Sequence, residues 1–326
     1  MAVQSGLIPE QKGSVLRNIW EYLRDNIAVL ALILVVAFFS IANSNFLTFA
    51  NFANIGRQSA MITIMACGMT MVIVSANIDL SIASTLSLAA MLSGLVVKAT
   101  GSTLAALLAG MATGAAIGFI NGVLVTKGRI PSFLATLGMM GVVRGVSMLV
   151  TATKPVVIYT ESYWRAFGDG KVFGFLPIAI FWTFIILVVM HIILTYTSLG
   201  RYIYATGGNK QAARFTGIKT DKTVIITFII MGLLAAFAGI ILSSRMHASR
   251  PGTGEGMELN VIAAVILGGT SLFGGKGTII GALVGALVIG ALNNGLIILG
   301  FSTHVQMLVR GLVIILAVLF AREEKA

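Results

Sequence analysis

Few residues in this sequence could do chemistry, and none of them forms a catalytic set. His191, His247 and His304 are far apart without metal-ligand spacing, and the lone Cys67 lies in an apolar run. No metal site and no intrachain disulfide are therefore predicted. The run Gly269 to Thr278 has the look of a phosphate loop, but Thr270 stands where the first glycine is needed. Gly277 follows Lys276 where a Ser or Thr would hold magnesium, so no nucleotide cofactor is expected on this chain. The charges that remain are Asp79, Arg144, Glu258 and Arg310. Arg144 and Arg310 interrupt apolar runs, where a cation must be paired, hydrated or snorkelling, or else must line a solute pathway. Asp79 and Glu258 each open a short apolar segment, where a carboxylate suits a helix N-terminus and could equally face a pathway.

The elements that would position these residues are set by hydropathy. The chain is 326 residues long with a mean hydropathy of +0.99, 57% apolar and only 10% charged. A soluble core could not hide that much apolar surface, so an all-α polytopic membrane protein is predicted. A span needs roughly 20 apolar residues to cross about 30 Å of hydrocarbon. Ten apolar segments emerge, about 27–42, 58–77, 80–97, 103–125, 131–151, 174–195, 223–243, 259–275, 278–299 and 304–321. The segments 80–97 and 259–275 are short and start at polar residues, which suits a broken or re-entrant helix buried among neighbours. An even number of spans puts both termini on one side, and the Lys and Arg bias makes that side cytoplasmic. Residues 1–26 are read as a cytoplasmic segment before an uncleaved first span, and 27–322 as a single transmembrane domain. The net charge of +11 matches basic inner loops facing anionic membrane lipid, and no nucleic-acid partner is expected.

Two parts of the chain echo each other. Gly114-Ala-Ala-Ile-Gly118 resembles Gly281-Ala-Leu-Val-Gly285, and Val143-Arg144-Gly145 resembles Val309-Arg310-Gly311. Asp79-Leu-Ser-Ile-Ala precedes the first block as Glu258-Leu-Asn-Val-Ile-Ala precedes the second. The blocks lie five spans apart, an odd shift that would invert the second copy and predicts an inverted internal repeat. Within the echo, Gly110, Gly114, Gly118 and Gly122 recur every fourth residue, as do Gly277, Gly281 and Gly285. Such stripes let two helix backbones approach closely, inside the chain or at a seam between two copies.

One polar stretch divides the greasy halves, the central loop 196–222. Arg201, Lys210, Arg214, Lys219 and Lys222 face a single acid there, Asp221, so the loop is placed in the cytoplasm. Gly207 and Gly208 break what precedes, Asn209 caps, Lys210 to Phe215 tolerate a helix, and Gly217 stops it. A short surface helix of this kind is a docking element for a soluble partner.

The run Gly207-Gly208-Asn209, Ala212-Ala213, Gly217-Ile218 resembles the cytoplasmic coupling loop of ribose-type ABC sugar permeases. The resemblance continues in Ile78-Asp79-Leu80-Ser81, in Leu199-Gly200-Arg201-Tyr202-Ile203 and in Glu258-Leu259 with Ile262-Ala263-Ala264-Val265. It extends through Gly268-Gly269-Thr270-Ser271, Gly274-Gly275-Lys276-Gly277 and Asn293-Asn294-Gly295-Leu296. Asn77, Ala83 and Asn260 depart from the usual Gly, Gly and Asp. The resemblance implies the bacterial inner-membrane subunit of an importer that passes a monosaccharide inward. It also implies a second permease copy, an ATPase subunit carrying ATP and magnesium, and a periplasmic sugar-binding protein. On this reading Gly207 to Gly217 couples to the ATPase, the outer loops 152–173 and 244–258 meet the binding protein, and the fifth and tenth spans line the pathway. An ion-coupled secondary transporter of a small polar solute is the rival. It needs a mid-membrane carboxylate, and Asp79 and Glu258 both fall at segment edges.

Overall fold

The computed structural model describes residues 27–320, almost wholly as helix. The proposed N-terminal segment 1–26 lies outside the described residues, as do 321 and 322 at the end of the proposed domain. In chain order the helices are α1 (Ile27–Ala42), α2 (Phe49–Val74), α3 (Ile82–Thr100), α4 (Thr103–Thr126) and α5 (Ser132–Thr151). After these come a short α6 (Glu161–Phe167), α7 (Ile178–Tyr196), α8 (Ser198–Gly208), α9 (Lys210–Phe215) and α10 (Thr220–Met246). The last three are α11 (Met257–Leu267), α12 (Ile279–Ile298) and α13 (Thr303–Phe320). Two antiparallel ribbons complete the described chain, β1 (Val156–Val157) with β4 (Ala248–Ser249) and β2 (Lys171–Val172) with β3 (Leu176–Pro177).

Each predicted apolar segment contains a helix, because backbone amides without water must be satisfied within the segment. Polar residues set several of the starts. Thr48, Ser102, Thr197 and Thr278 accept from backbone N–H groups three residues on, at 3.3, 3.2, 3.3 and 3.0 Å, the usual cap geometry. Among the described residues, seven helices are long and apolar enough to cross a membrane: α2, α3, α4, α5, α7, α10 and α12. Helices α1 and α11 are shorter apolar helices, so the described residues do not confirm the predicted count of ten.

The two segments singled out as short part company here. The 80–97 segment becomes the continuous 19-residue α3. The 259–275 segment breaks at Leu267, and its second half belongs to a glycine-rich loop, 268–278. With 11 residues, α11 rises only about 16 Å, half of a hydrocarbon core about 30 Å thick.

The core lies around α2 and α10, whose middle turns are buried through Met65, Met69 and Met71 on one and Phe228, Met231 and Ala235 on the other. Around this pair the packing repeats with the predicted shift of five spans. Helix α4 packs on α10 as α12 packs on α2, and α3 packs on α4 as α11 packs on α12. The contacts of α3 with α10 and with α5 recur as α11 with α2 and with α13.

The glycine stripe of α4 is buried inside this bundle. A Cβ on Gly114 would lie 2.2 Å from the Gly232 carbonyl oxygen, and one on Gly118 would lie 2.2 Å from that of Phe228. Gly122 meets the backbone of Ile225 and Gly110 meets Ile240, so the stripe seats α4 against α10 and does not face a second copy. In the second half, Gly281 and Gly285 meet the carbonyls of Gly268 and Ala264, seating α12 against α11. Gly277 leaves this stripe, because Thr278 caps α12 and Gly277 lies in the preceding loop.

Candidate functional site

The break-helix-break reading of the central loop is realised with one change. Gly207 and Gly208 do not break a helix; they are its last two residues, and the chain turns at Asn209. Asn209 is extended, and its side-chain oxygen accepts from the Ala212 N–H at 3.0 Å to start α9. At the other end Gly217 N–H donates to the Arg214 carbonyl and Ile218 N–H to the Ala213 carbonyl, both at 3.0 Å. That bond pair needs a left-handed residue between helix and exit, which Gly217 supplies at φ +85°. Arg214 then fixes α9 to the start of α10, donating to Asp221 at 2.7 Å and to the Thr220 hydroxyl at 2.9 Å. Lys210 adds a 3.6 Å ion pair to the same Asp221.

The exposed face of this module differs from the one expected. Ala213 is buried in its own chain, so it holds α9 down and offers nothing to a partner. Gly208, Asn209, Ala212 and Gly217 are exposed. The sequence reading missed Phe215, which is 90% exposed at the tip of α9. A large aromatic standing free on a basic loop is the kind of anchor that protein interfaces bury.

Beneath the module, α8 is wedged between two backbones. A Cβ on Gly207 would lie 1.7 Å from the Val74 carbonyl oxygen at the end of α2 and 3.0 Å from the Gly275 nitrogen. That same Val74 carbonyl accepts from Gly275 N–H at 2.9 Å, and the Tyr204 hydroxyl donates to the Gly277 carbonyl at 2.6 Å. Three elements thus meet at one joint: the end of α8, the end of α2, and the 268–278 loop between α11 and α12. The loop amides at 271, 274 and 275 are all engaged in backbone hydrogen bonds.

The isolated charges separate into distinct roles. Asp79 is buried three residues before its helix, where one oxygen accepts from Ser81 N–H at 2.8 Å and the Ser81 hydroxyl at 2.6 Å. Asn121 of α4 donates to that hydroxyl at 2.9 Å, so Asp79 ties the turn into α3 and onto α4. Arg144 of α5 pairs with Glu255, a residue not singled out in the sequence. Glu258 lies in the first turn of α11, as expected, with one oxygen buried and without a hydrogen bond. The side chain of Arg310 lies outside the described residues.

At the end of the bundle away from α8 and α9, the segments 152–173 and 244–258 are joined to each other. Their β1–β4 ribbon is flanked by an Ile158 N–H donating to the His247 carbonyl at 2.9 Å and by a His247 ring stacked 4.0 Å from Trp164. Tyr159, Phe173 and Phe175 are exposed on this platform.

The chain matches a family model described as branched-chain amino acid transport system / permease component over residues 51–318. It is 45% identical to the ribose import permease protein of Escherichia coli (strain K12) over 301 residues, 91% of this chain and 94% of that one. It is 38% identical to the L-arabinose transport system permease protein of the same organism, over 85% of this chain and 84% of that one. The D-allose transport system permease protein, also from that organism, is 36% identical over 89% of each chain. No solved structure matches. With matches covering most of its length, the chain belongs to the branched-chain amino acid transport system / permease component family, among its ribose-type sugar permeases.

Proposed function

We propose that this chain is the membrane-spanning subunit of an ATP-binding cassette importer that passes a monosaccharide into the cytoplasm. The observation that carries the proposal is the α8–Asn209–α9 module, a partner-facing knob anchored on backbone contacts to two other parts of the bundle. The similarity to permeases named for ribose, L-arabinose and D-allose supports a monosaccharide as cargo. The chain works as one of a pair, with the module and both termini in the cytoplasm of a bacterium. A separate ATPase subunit, holding ATP and magnesium, docks on α9, and this chain itself performs no catalysis. A periplasmic sugar-binding protein docks on the aromatic platform formed by 152–173 and 244–258, and hands its sugar to a pathway between facing fifth and tenth spans.

The test is uptake by proteoliposomes containing this chain with the ATPase and sugar-binding protein of its own organism. Labelled D-ribose, L-arabinose or D-allose is expected to accumulate only when ATP and the binding protein are both supplied, with no ion gradient present. Uptake that needs a proton or sodium gradient and ignores ATP would overturn the proposal in favour of ion coupling.

A further inference from the structure

A cavity of about 100 Å³ lies between α3, α5 and the segment leading into α11. Ser84 and Ser87 of α3, Arg144 and Ser147 of α5, and Thr253 and Glu255 of that segment line it, and Glu258 closes it. We infer that this cavity is a monosaccharide subsite in the wall of the solute pathway, an inference that rests on the importer reading above.

Its depth follows from the helices around it. Ser132 and Thr136 of α5 each accept from the turn before α3, from Ile78 N–H and Leu80 N–H, both at 3.1 Å. These bonds set α3 and α5 side by side and in step. Arg144 stands twelve residues beyond Ser132, about 18 Å up α5. Ser87 keeps pace on α3, and its hydroxyl donates to the Arg250 carbonyl at 3.3 Å, so the segment after α10 dips down beside α3. That dip is why α11 has only 11 residues left to run. The cavity therefore lies near the middle of the membrane, at the N-terminal end of a half-length helix, where transporters built from repeats hold their solutes.

The lining cannot face hydrocarbon. In the Arg144–Glu255 pair the side chains are 39% and 60% exposed, and the space beside them must hold water or solute. The cavity is well above the roughly 10–15 Å³ that a single water requires, so it has room for several waters or a small polar solute in their place. The chemistry fits a neutral polyol. Each sugar hydroxyl both donates and accepts, and here Arg144 supplies donors, Glu255 and the unpartnered Glu258 oxygen supply acceptors, and the serines and Thr253 supply both. One cation against two carboxylates disfavours an anion. Ala83, Met140 and Gly252 complete the lining with apolar surface, against which the C–H face of a sugar can rest. No aromatic face lines the cavity, which suits a site that must let go as readily as it holds.

The test uses the assembled importer in proteoliposomes. Cys67 is the sole cysteine of this chain and is buried, so Thr253→Cys introduces the one accessible thiol of this subunit, and labelling is read on its band. A charged, water-soluble methanethiosulfonate is expected to label it. D-ribose with binding protein and ATP should slow that labelling at least about threefold, while L-leucine leaves it unchanged. The same label on Ser44→Cys, exposed between α1 and α2 and outside both docking segments, should be indifferent to ribose. Ser84→Leu, which fills the cavity, should lower ribose uptake by about tenfold or more with the Ser44→Cys labelling rate retained in that background. Unchanged labelling of Thr253→Cys during active ribose uptake, or no labelling at all, would overturn the subsite and leave the importer standing. Equal protection by L-leucine would overturn the polyol assignment. A wild type that takes up none of the three sugars would remove the importer reading and the subsite together.

Discussion

Gly207→Ala is expected to disconnect ATP hydrolysis from uptake. The new methyl group would lie 1.7 Å from the Val74 carbonyl oxygen, far inside van der Waals contact, and the atom it meets is backbone that cannot rotate away. Relief requires the end of α8 to lift from the end of α2 and from Gly275, whose N–H shares the same carbonyl. Overpacking of this kind costs about 1–3 kcal/mol. Expressed wholly as lost coupling between the docking module and the bundle, that is roughly a 5- to 150-fold fall in ATP-driven uptake. The ATPase should still bind, because α9 keeps its Asn209 cap and its Asp221 clamp. The measurement is the ratio of sugar moved to ATP hydrolysed in proteoliposomes. Gly208→Ala is the stability comparison, since a Cβ there meets nothing within 4 Å and the melting temperature should hold. An unchanged ratio for Gly207→Ala would mean that the joint beneath α8 transmits nothing.

The second large effect is on the fold itself. Gly118→Ala puts a Cβ 2.2 Å from the Phe228 carbonyl oxygen and 2.9 Å from the Ile229 Cα, so α4 and α10 must move apart along their whole contact. The loss should reach or exceed the upper end of the overpacking range, about 3 kcal/mol, because both obstacles are main chain. In detergent, the melting temperature of the variant should drop sharply and the folded yield with it. Gly138→Ala and Gly145→Ala on α5 provide the contrast. A Cβ at either meets nothing within 4 Å, and both should melt close to wild type when the single chain is measured. Equal effects at positions 118 and 138 would contradict the placement of the α4 stripe.

That contrast also marks where sequence reasoning stops. Gly114, Gly118 and Gly122 announce a close helix approach by their spacing alone, but which helix approaches is a long-range fact, and Gly232 on α10 decides it. Gly277 continues the four-residue spacing of Gly281 and Gly285 and is still not helical, because Thr278 caps the helix after it. The break after Leu267 was foreshadowed by the polar start and shortness of its segment. The docking module was legible almost residue by residue, since Asn209 and Gly217 have conformational requirements that act locally. Ala213 and Phe215 were not, because six helical residues are too few to show which face is buried. Glu255 was out of reach for a different reason. It is 111 residues from Arg144, and only the dip of the segment before α11 brings the two together. Glu258 lies in the first turn of its helix, the segment edge read from the sequence, and Glu255 beside that turn pairs with Arg144. Arg144 beside them compensates the charge, which answers the want of a counter-ion without a transported proton or sodium.

The central claim is that α9 is where an ATPase docks, and its most direct test is a pull-down. Wild-type chain is drawn from its native membrane in mild detergent beside a variant carrying Ala212→Asp and Phe215→Ala, both exposed positions, with the buried Ala213 left intact. Hydrolysis of ATP is then assayed in the two eluates, with the melting temperature of each chain measured alongside. The account predicts ATPase activity with the wild type and about tenfold or more less with a variant that melts normally. Equal activity from both eluates, or none from the wild type under several mild conditions, would contradict it.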